Sequence, residues 1–576
     1  MQPTQPQGRL ELTWTNKHLR LLAHDDGSYE WIDPADHRIA EVRLLHDAGT
    51  IGETTPSSTR AEDNLLIRGD ALNALASLAE LPEFAKEYLG KVRLAYLDPP
   101  FNTQQSWLHY DDALEHSVWL TMMRDRLQQI KRLLDPEQGS IWVHCDDSEQ
   151  AYLKAMMDEV FGRHSFVANV IWEKADSPRM DARLFSARHD HLLVFRRGDR
   201  WTPNPMPMDS KEMTHFDRVG VDGERYRRVL LRKWGANSRR QDRPNLFYPL
   251  RAPDGTEVWP IRSDGTEGYW RWSSERYKTN ENAIEWVQQS AGWQPYVRQM
   301  AREALHRPPE TLWRYDEVGS NRQGKAEVKA LALTPEPFAT PKPERLLERI
   351  VRVASSPNDI VLDCFLGSGT TAAVAHKLGR RWVGIERSAE TVDVFAKPRL
   401  EKVVAGHDPG GITETVGWER GGGFRILDVA PSMFSAVEGT VYLADWATNS
   451  ALAEATAAQL GFPHEPNPPY AGQRGRSRLA VIDGLVNEAA VRLLAEGLAE
   501  GERLVVCGTA VDPAAQPALR ELRPGSSVRK IPASILRAYR DVAQRDRTTS
   551  RLVGEPPTSD GPTAIPSERT ESEAPA

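Results

Sequence analysis

The chain has 576 residues, 40% of them hydrophobic, a length that asks for about three or four globular domains. Its net charge of −8 argues against a protein that simply coats nucleic acid, and no apolar run is long enough to span a bilayer or to act as a leader. Its three cysteines, Cys145, Cys364 and Cys507, are far apart and form no CxxC pair, so neither a disulfide framework nor a metal site is expected and a reducing cytoplasm is the natural setting.

Residues 1–60 read as an N-terminal extension with a polar, frayed start at Met1–Gly8. Between 61 and 200 strands and helices alternate. Lys91–Leu97 (KVRLAYL) is a short apolar strand, and Trp119–Leu134 has helical spacing that stops at Asp135-Pro136. Ser140–His144 is a strand, Ser148–Phe161 a helix and His191–Phe195 a strand. Residues 201–335 break the rhythm with Arg, Trp, Pro and Gly and with turns such as Pro253-Asp254-Gly255. Residues 336–405 resume it: a helix from Pro343 to Ala354, a strand Asp359–Asp363, a helix Thr370–Leu378 and a strand Trp382–Ile385. A Gly-rich linker (406–430), a small α/β unit (431–544) and a Pro/Ser/Thr/Glu-rich tail expected to be disordered (545–576) follow. The alternation implies a mostly parallel sheet covered by helices.

Val361–Thr371 (VLDCFLGSGTT) runs a strand into a Gly-rich turn and then a helix. Glycine lets a ligand approach the backbone, and open α/β sheets bind ligands at the C-terminal ends of their strands. Asp363 stands at such an end. Glu386 closes the next strand about twenty residues on, the position from which an acid takes both hydroxyls of a ribose. A Gly-rich turn alone is equally well a structural device; with Glu386 it points to a nucleoside-containing cofactor. The spacing is not G-x-G-x-x-G, which serves a pyrophosphate, and this speaks against a dinucleotide.

Leu97–Thr103 (LDPPFNT) follows an earlier strand. Pro99 and Pro100 form a stiff, extended turn without backbone donors. The Asp98 carboxylate and the Pro99 carbonyl are acceptors, and Phe101 offers an aromatic face. The exocyclic amino group of adenine is a poor nucleophile because its lone pair is delocalised into the ring. Two acceptors on its two N–H bonds favour a tetrahedral nitrogen, with positive charge developing beside a carboxylate. The base must leave the duplex to reach them, and it can then stack on Phe101. A Pro-rich turn after a strand is the plain alternative, and the presence of both motifs in one chain speaks against it.

Phe365-Leu366-Gly367-Ser368-Gly369 resembles the F-x-G-x-G motif of the DNA amino-methyltransferases. The order of the motifs, D-P-P-F first and the Gly-rich loop second, is similar to the permuted beta group of that family. The resemblance implies a Rossmann-like, circularly permuted α/β methyltransferase fold with a target-recognition domain at 201–335. It implies catalytic roles for Asp98, Pro99, Pro100 and Phe101, and S-adenosylmethionine as cofactor, held by Asp363, Phe365, Gly367, Ser368, Gly369, Thr370 and Glu386. Ile67–Asp70 resembles the family's segment before the catalytic strand and adds Asp70. Phe338–Glu344 (FATPKPE) resembles the opening of the helix before the Gly-rich loop and adds Lys342 and Pro343. Phe101 stands where Tyr is more usual and Cys364 where another aromatic is common; either can stack or pack.

Leu246–Pro260, Gly268–Ser273, Asp316–Ser320 and Trp418–Phe424 look like modification subunits of type III restriction–modification systems, a likeness over roughly residues 60–425. It implies a homodimer acting on double-stranded DNA, with translocation and cleavage left to a separate restriction subunit. Residues 225–251 carry nine Arg and Lys, among them Arg227, Arg228, Arg232, Lys233, Arg239, Arg240 and Arg243, against one acid, Asp242. That patch suits phosphates and guanine edges; a solvated face is the plainer reading. Trp259, Trp270, Trp272, Trp286 and Trp293 read as core before stacking surface. Gly319–Ala326 approximates a phosphate-binding loop but lacks the final Ser/Thr and follows no apolar strand, so it reads as coincidence. The expected activity is methylation of adenine N6. Cytosine N4 stays open as a target, as does a catalytically silent recognition subunit, against which Asp98, Asp363 and Glu386 speak. The C-terminal unit, with its strand-like Leu504–Cys507 and the segment Lys530-Ile531-Pro532, carries no chemical motif and reads as an interaction domain.

Overall fold

The computed structural model describes residues 11–531 apart from 25–27, 35, 102–105, 108–109, 112–114, 208–212, 221–222, 291, 302–305, 438–439, 444–450 and 466. The start at Met1–Gly8, residues Asn102 and Thr103, Pro532 and the tail 545–576 therefore lie outside the described residues. The elements of the main unit are β1 (Leu45–Gly52), β2 (Leu65–Arg68), α1 (Ala71–Glu80), β3 (Val92–Leu97), α2 (His116–Leu133), β4 (Ser140–Cys145), α3 (Gln150–Phe161), β5 (Phe166–Glu173), β6 (His189–Arg196) and β7 (Leu312–Trp313). After them come α4 (Asn321–Ala330), α5 (Glu344–Ala354), β8 (Ile360–Asp363), α6 (Thr370–Lys377), β9 (Arg381–Glu386), α7 (Lys397–Ala405) and β10 (Gly423–Val429).

These strands form one ten-stranded sheet in the order β7-β5-β6-β4-β3-β8-β9-β2-β10-β1. From β4 to β10 every neighbouring pair is parallel. The permuted order is written into the register: Leu362 of β8 pairs with Ala95 of β3 on one side and Val383 of β9 on the other. The central strands are near-continuous apolar runs because both faces of the sheet are covered. On one face α1, α2 and α3 bury Leu75, Leu78, Trp119, Met123, Leu127 and Leu153. On the other, α5, α6 and α7 bury Leu347, Ile350, Ala373, Val374, Leu400 and Val403. The stripe Leu346, Leu347, Ile350 and Val351 gives α5 the spacing of a one-sided helix and seats it on the sheet.

The sheet takes in two segments that the sequence assigns to the N-terminal extension and to the linker. Leu45–Gly52 is its edge strand, and Gly423–Val429 lies between that edge and β2. The glycines before β10 read as a linker, yet Gly423 is a close approach: a Cβ there would lie 2.2 Å from the Glu53 carbonyl oxygen. His191–Phe195 falls within β6, which runs antiparallel to β4; an apolar run does not encode strand direction.

Within 201–335, Arg218–Val219, Arg225–Leu230, Gly292–Met300 and Ile284–Gln289 form an antiparallel four-stranded sheet. Trp270 is buried with Leu231, Leu250 and Tyr277, and Trp272 and Trp286 pack against them. Trp259 is 40% exposed, and the Trp293 indole donates to Asp254 Oδ2. Gly324 sits inside α4 against the Pro341 backbone, so the phosphate-loop look-alike is mostly helix. At the C-terminal end, Gly472–Arg474, Ser477–Val486, Arg503–Val511 and Ser527–Lys530 form a second, mixed sheet with its own core. Among the described residues, no helix is long and apolar enough to cross a membrane.

Candidate active site

Four neighbouring strands, β3, β8, β9 and β2, end at one edge of the sheet. Each brings a carboxylate there: Asp98 just after β3, Asp363 and Glu386 as the last residues of β8 and β9, and Asp70 two residues after β2. The fold thus sets side by side two motifs that the chain separates by the whole of the 201–335 region.

Past Asp363 the chain turns through Gly367 and Gly369 into α6. Gly369 caps that helix with φ +83°, a left-handed conformation that costs glycine nothing. Asp363 Oδ1 accepts the Phe365 N–H at 2.9 Å. Burial and the nearby Asp98 and Glu386 carboxylates push Asp363 up to about 7, against hydrogen bonds from Thr371 and Phe365. Glu386 Oε2 accepts the Gly367 N–H at 2.8 Å and Oε1 the Ser388 N–H at 3.0 Å; burial raises this carboxyl against those bonds. The Ser368 and Thr370 side chains are buried and engaged within the protein, their hydroxyls 3.3 Å apart and Thr370 Oγ1 accepting from Arg399 at 2.7 Å. Asp70 Oδ1 caps α1 through the Leu72 N–H, and its Oδ2 accepts from Arg126 at 2.6 Å. Arg126 in turn lies 5.9 Å from the Phe365 ring centre.

The D-P-P-F segment is anchored from below. Pro99 is buried, and the Pro100 carbonyl accepts the Trp119 indole N–H at 2.8 Å. Lys342 Nζ donates to Asp98 Oδ2 at 2.6 Å and lies 5.2 Å from the Phe101 ring centre. Pro343, next to it, caps α5 and backs onto Gly319. The other Asp98 oxygen, Oδ1, is buried without a hydrogen-bond partner among the described residues. His144 lies beneath: Nδ1 is 4.0 Å from Asp98 Oδ1, and the imidazole lies tilted with its centre 5.5 Å from that of the Phe101 ring. The Tyr96 hydroxyl is 3.0 Å from His144 Nδ1, His144 Nε2 is 3.2 Å from Asp190 Oδ2, and Lys174 donates to Asp190 Oδ1 at 2.6 Å.

All predicted catalytic and cofactor residues therefore gather at this edge. Sequence reasoning missed Arg126, His144, Asp190, Lys174 and Trp119. His144 and Asp190 sit inside strands, Arg126 and Trp119 inside a helix that reads as core, and Lys174 just after β5; a charge interrupting an apolar run, as at His144 in SIWVHC, is the one mark that any of them leaves. Phe338 also belongs here, 3.4 Å from where a Cβ on Gly367 would stand.

The basic stretch lies elsewhere, on Arg225–Leu230 of the inserted sheet and in the segment 232–251 that follows it. Arg228 pairs with Glu285, Arg240 with Glu267, and Arg227 donates to Gln299. Arg232 and Lys233 are half-buried, whereas Arg239, Arg240 and Arg243 are exposed in one loop.

A protein-family model for DNA methylases matches residues 92–397, which holds D-P-P-F, the inserted region and the Gly-rich loop. The probable type III restriction-modification enzyme HindVI Mod subunit of Haemophilus influenzae is 30% identical over 423 residues, 64% of this chain and 54% of its own length. The type II methyltransferase M.KpnI of Klebsiella pneumoniae is 29% identical over 52% of this chain and 74% of its own. Among solved structures, the cytosine-N4-specific PvuII DNA methyltransferase superposes with a TM-score of 0.32 at 15% identity, over 63% of this chain and 94% of that one. The chain spans about half the length of the HindVI subunit. With the family model spanning more than half of its residues, the chain belongs to the DNA methylase family.

Proposed function

We propose that this protein transfers a methyl group from S-adenosylmethionine to the N6 amino group of adenine in duplex DNA. In this reading it acts in the cytoplasm as the modification subunit, a homodimer, of a type III restriction–modification system. The observation that carries the proposal is the pairing, on adjacent strands, of a half-buried carboxylate whose buried Oδ1 has no hydrogen-bond partner among the described residues (Asp98) and a cradle for a nucleoside (Asp363, Gly367 and Glu386). The identity to Mod subunits supports the system, and the exposed Arg239, Arg240 and Arg243 support DNA contact by the inserted region.

The residues present fit the cofactor. Two backbone N–H groups fix the Glu386 oxygens and leave lone pairs for two hydroxyl donors. Asp363, with Lys342 and Pro343 across the edge, suits the amino-acid end, and Phe365 and Phe338 supply apolar walls. When bound, its sulfonium supplies an electrophilic methyl group.

The chain's own residues do the remainder. Asp98 Oδ1 and the Pro99 carbonyl accept the two amino N–H bonds of the flipped base, which localises the nitrogen lone pair. Phe101, held over His144, stacks on the ring. Lys342 holds Asp98 in place beside the nitrogen on which positive charge develops. Incubation with labelled S-adenosylmethionine and mixed genomic DNA tests the reading: label in DNA is expected, and none under conditions where DNA binds would refute it.

A further inference from the structure

His144 is fully buried, yet both of its ring nitrogens are engaged. A phenol stays protonated when buried, so the Tyr96 hydroxyl donates and Nδ1 accepts. Nε2 therefore carries the hydrogen, directed at the Asp190 carboxylate. The charged and titratable groups around the ring are Asp98 after β3, Tyr96 in β3, Lys342 before α5, Asp190 in β6 and Lys174 just after β5. Burial, with Lys342 adding to it, pushes the imidazole below its ordinary value. Burial also opposes ionisation of Asp190, but His144 and the Lys174 ammonium outweigh it and hold that carboxyl below the usual range. A core of this size packs without buried charges, and such charges are costly to desolvate. Placed beneath a reacting carboxylate, they mark function.

We infer that Asp98, His144 and Asp190 form the exit path for the proton that the target amino group loses, with His144 as its acceptor. The inference rests on the proposed amino-methyl transfer. As nitrogen takes up the methyl group it becomes cationic and holds one proton too many, which it loses within the same step. An N–H bond breaks, its electron pair stays on nitrogen, and the proton passes to Asp98 Oδ1. From there it moves to His144 Nδ1 as the 4.0 Å gap closes and the Tyr96 hydroxyl turns aside. Asp98 is a carboxylate again, and the imidazolium lies between Asp98 and Asp190. The proton returns to water as product leaves. Asp190 fixes the tautomer that leaves Nδ1 as the base, and Lys174 keeps Asp190 from retaining the proton itself; both are positioning residues.

The test combines NMR of histidine-labelled protein without ligands and single-turnover methyl transfer from pH 5.5 to 9. The expected His144 signal, assigned by its loss in His144→Gln, is neutral and Nε2-protonated at pH 7. Wild-type transfer should fall at acid pH as His144 becomes protonated in advance. His144→Gln should lose that limb and run about 100-fold slower, with cofactor and DNA affinities unchanged. Lys174→Met, a less buried change, should move the limb to higher pH, since removing a positive charge makes His144 more basic. A charged or Nδ1-protonated His144, or variants with the wild-type rate and profile, would overturn the inference. Absence of transfer by the wild type at every pH would instead remove the methyl-transfer reading on which it rests.

Discussion

Lys342 Nζ lies 2.6 Å from Asp98 Oδ2, an ion pair between residues 244 positions apart that ties the D-P-P-F segment to the start of α5. It occupies one carboxylate oxygen and leaves the other, Oδ1, without a hydrogen-bond partner among the described residues. Lys342→Met should therefore do two things. An uncompensated, largely buried carboxylate should cost about 1–3 kcal/mol of stability, less than for a fully buried pair because Asp98 retains some exposure. Methyl transfer should slow while the nucleoside end of the cofactor site is untouched. Thermal unfolding and single-turnover rates check both; an unchanged rate would deny the pair a role in the site.

Replacing Asp98 with Ala removes that acceptor itself. Transfer should fall by about 10²–10³-fold or more, the scale of losing a preorganised electrostatic partner of the reacting group. Cofactor affinity should stay within about twofold, because Asp363 and Glu386 lie on β8 and β9 and are not anchored by Asp98. Calorimetry and quenched-flow measurements separate the two quantities, and normal turnover would contradict the site.

Glu386→Ala should have the opposite profile. Two charge-assisted hydrogen bonds to hydroxyls are each worth about 1.5–3 kcal/mol, so cofactor affinity should drop at least tenfold. Unchanged affinity would remove Glu386 from the ribose role.

Asp363, pushed up to about 7, titrates about 4 in an unfolded chain. Between those values the folded protein holds a proton that the unfolded chain has released. Folding therefore takes up protons, and this contribution to stability, full below pH 4, is lost as pH rises towards 7. Asp363→Asn lacks the effect, so the difference in melting temperature, variant minus wild type, should grow more positive from pH 5 to pH 8. Parallel pH profiles would show that Asp363 is ionised throughout.

The exposed loop arginines make a separable case. Changing Arg239, Arg240 and Arg243 together to Ala should weaken DNA binding and flatten its log–log salt dependence, by about 0.9 for each phosphate that is no longer neutralised. Cofactor binding should be unaffected. An unchanged salt slope would place the DNA interface elsewhere.

The motif positions were legible because chemistry and geometry coincide there. A carboxylate closing an apolar strand, a proline pair and a glycine turn each leave a mark in the sequence, and the structure gathers Asp98, Asp363 and Glu386 on adjacent strands. Helices such as α5, with their one-sided apolar stripe, were equally plain. The edge of the sheet was not. Gly423–Val429 follows glycines that mimic a linker, and Leu45–Gly52 has the exposed polar side of an edge strand. Side chains that serve the site from beneath were hidden for another reason. Arg126 and Asp190 look like stray charges in apolar elements until tertiary contacts supply Asp70, His144 and Lys174 as partners. The local basic charge also did not show which of its residues are already paired: Arg228 and Arg240 find carboxylates within the inserted unit.

The most direct test of methyl transfer to adenine through Asp98 is nucleoside analysis of duplex DNA incubated with S-adenosylmethionine and either the wild-type protein or Asp98→Ala. N6-methyladenine is expected with the wild type and none with the variant. N4-methylcytosine, or methylation that survives the loss of Asp98, would contradict that chemistry.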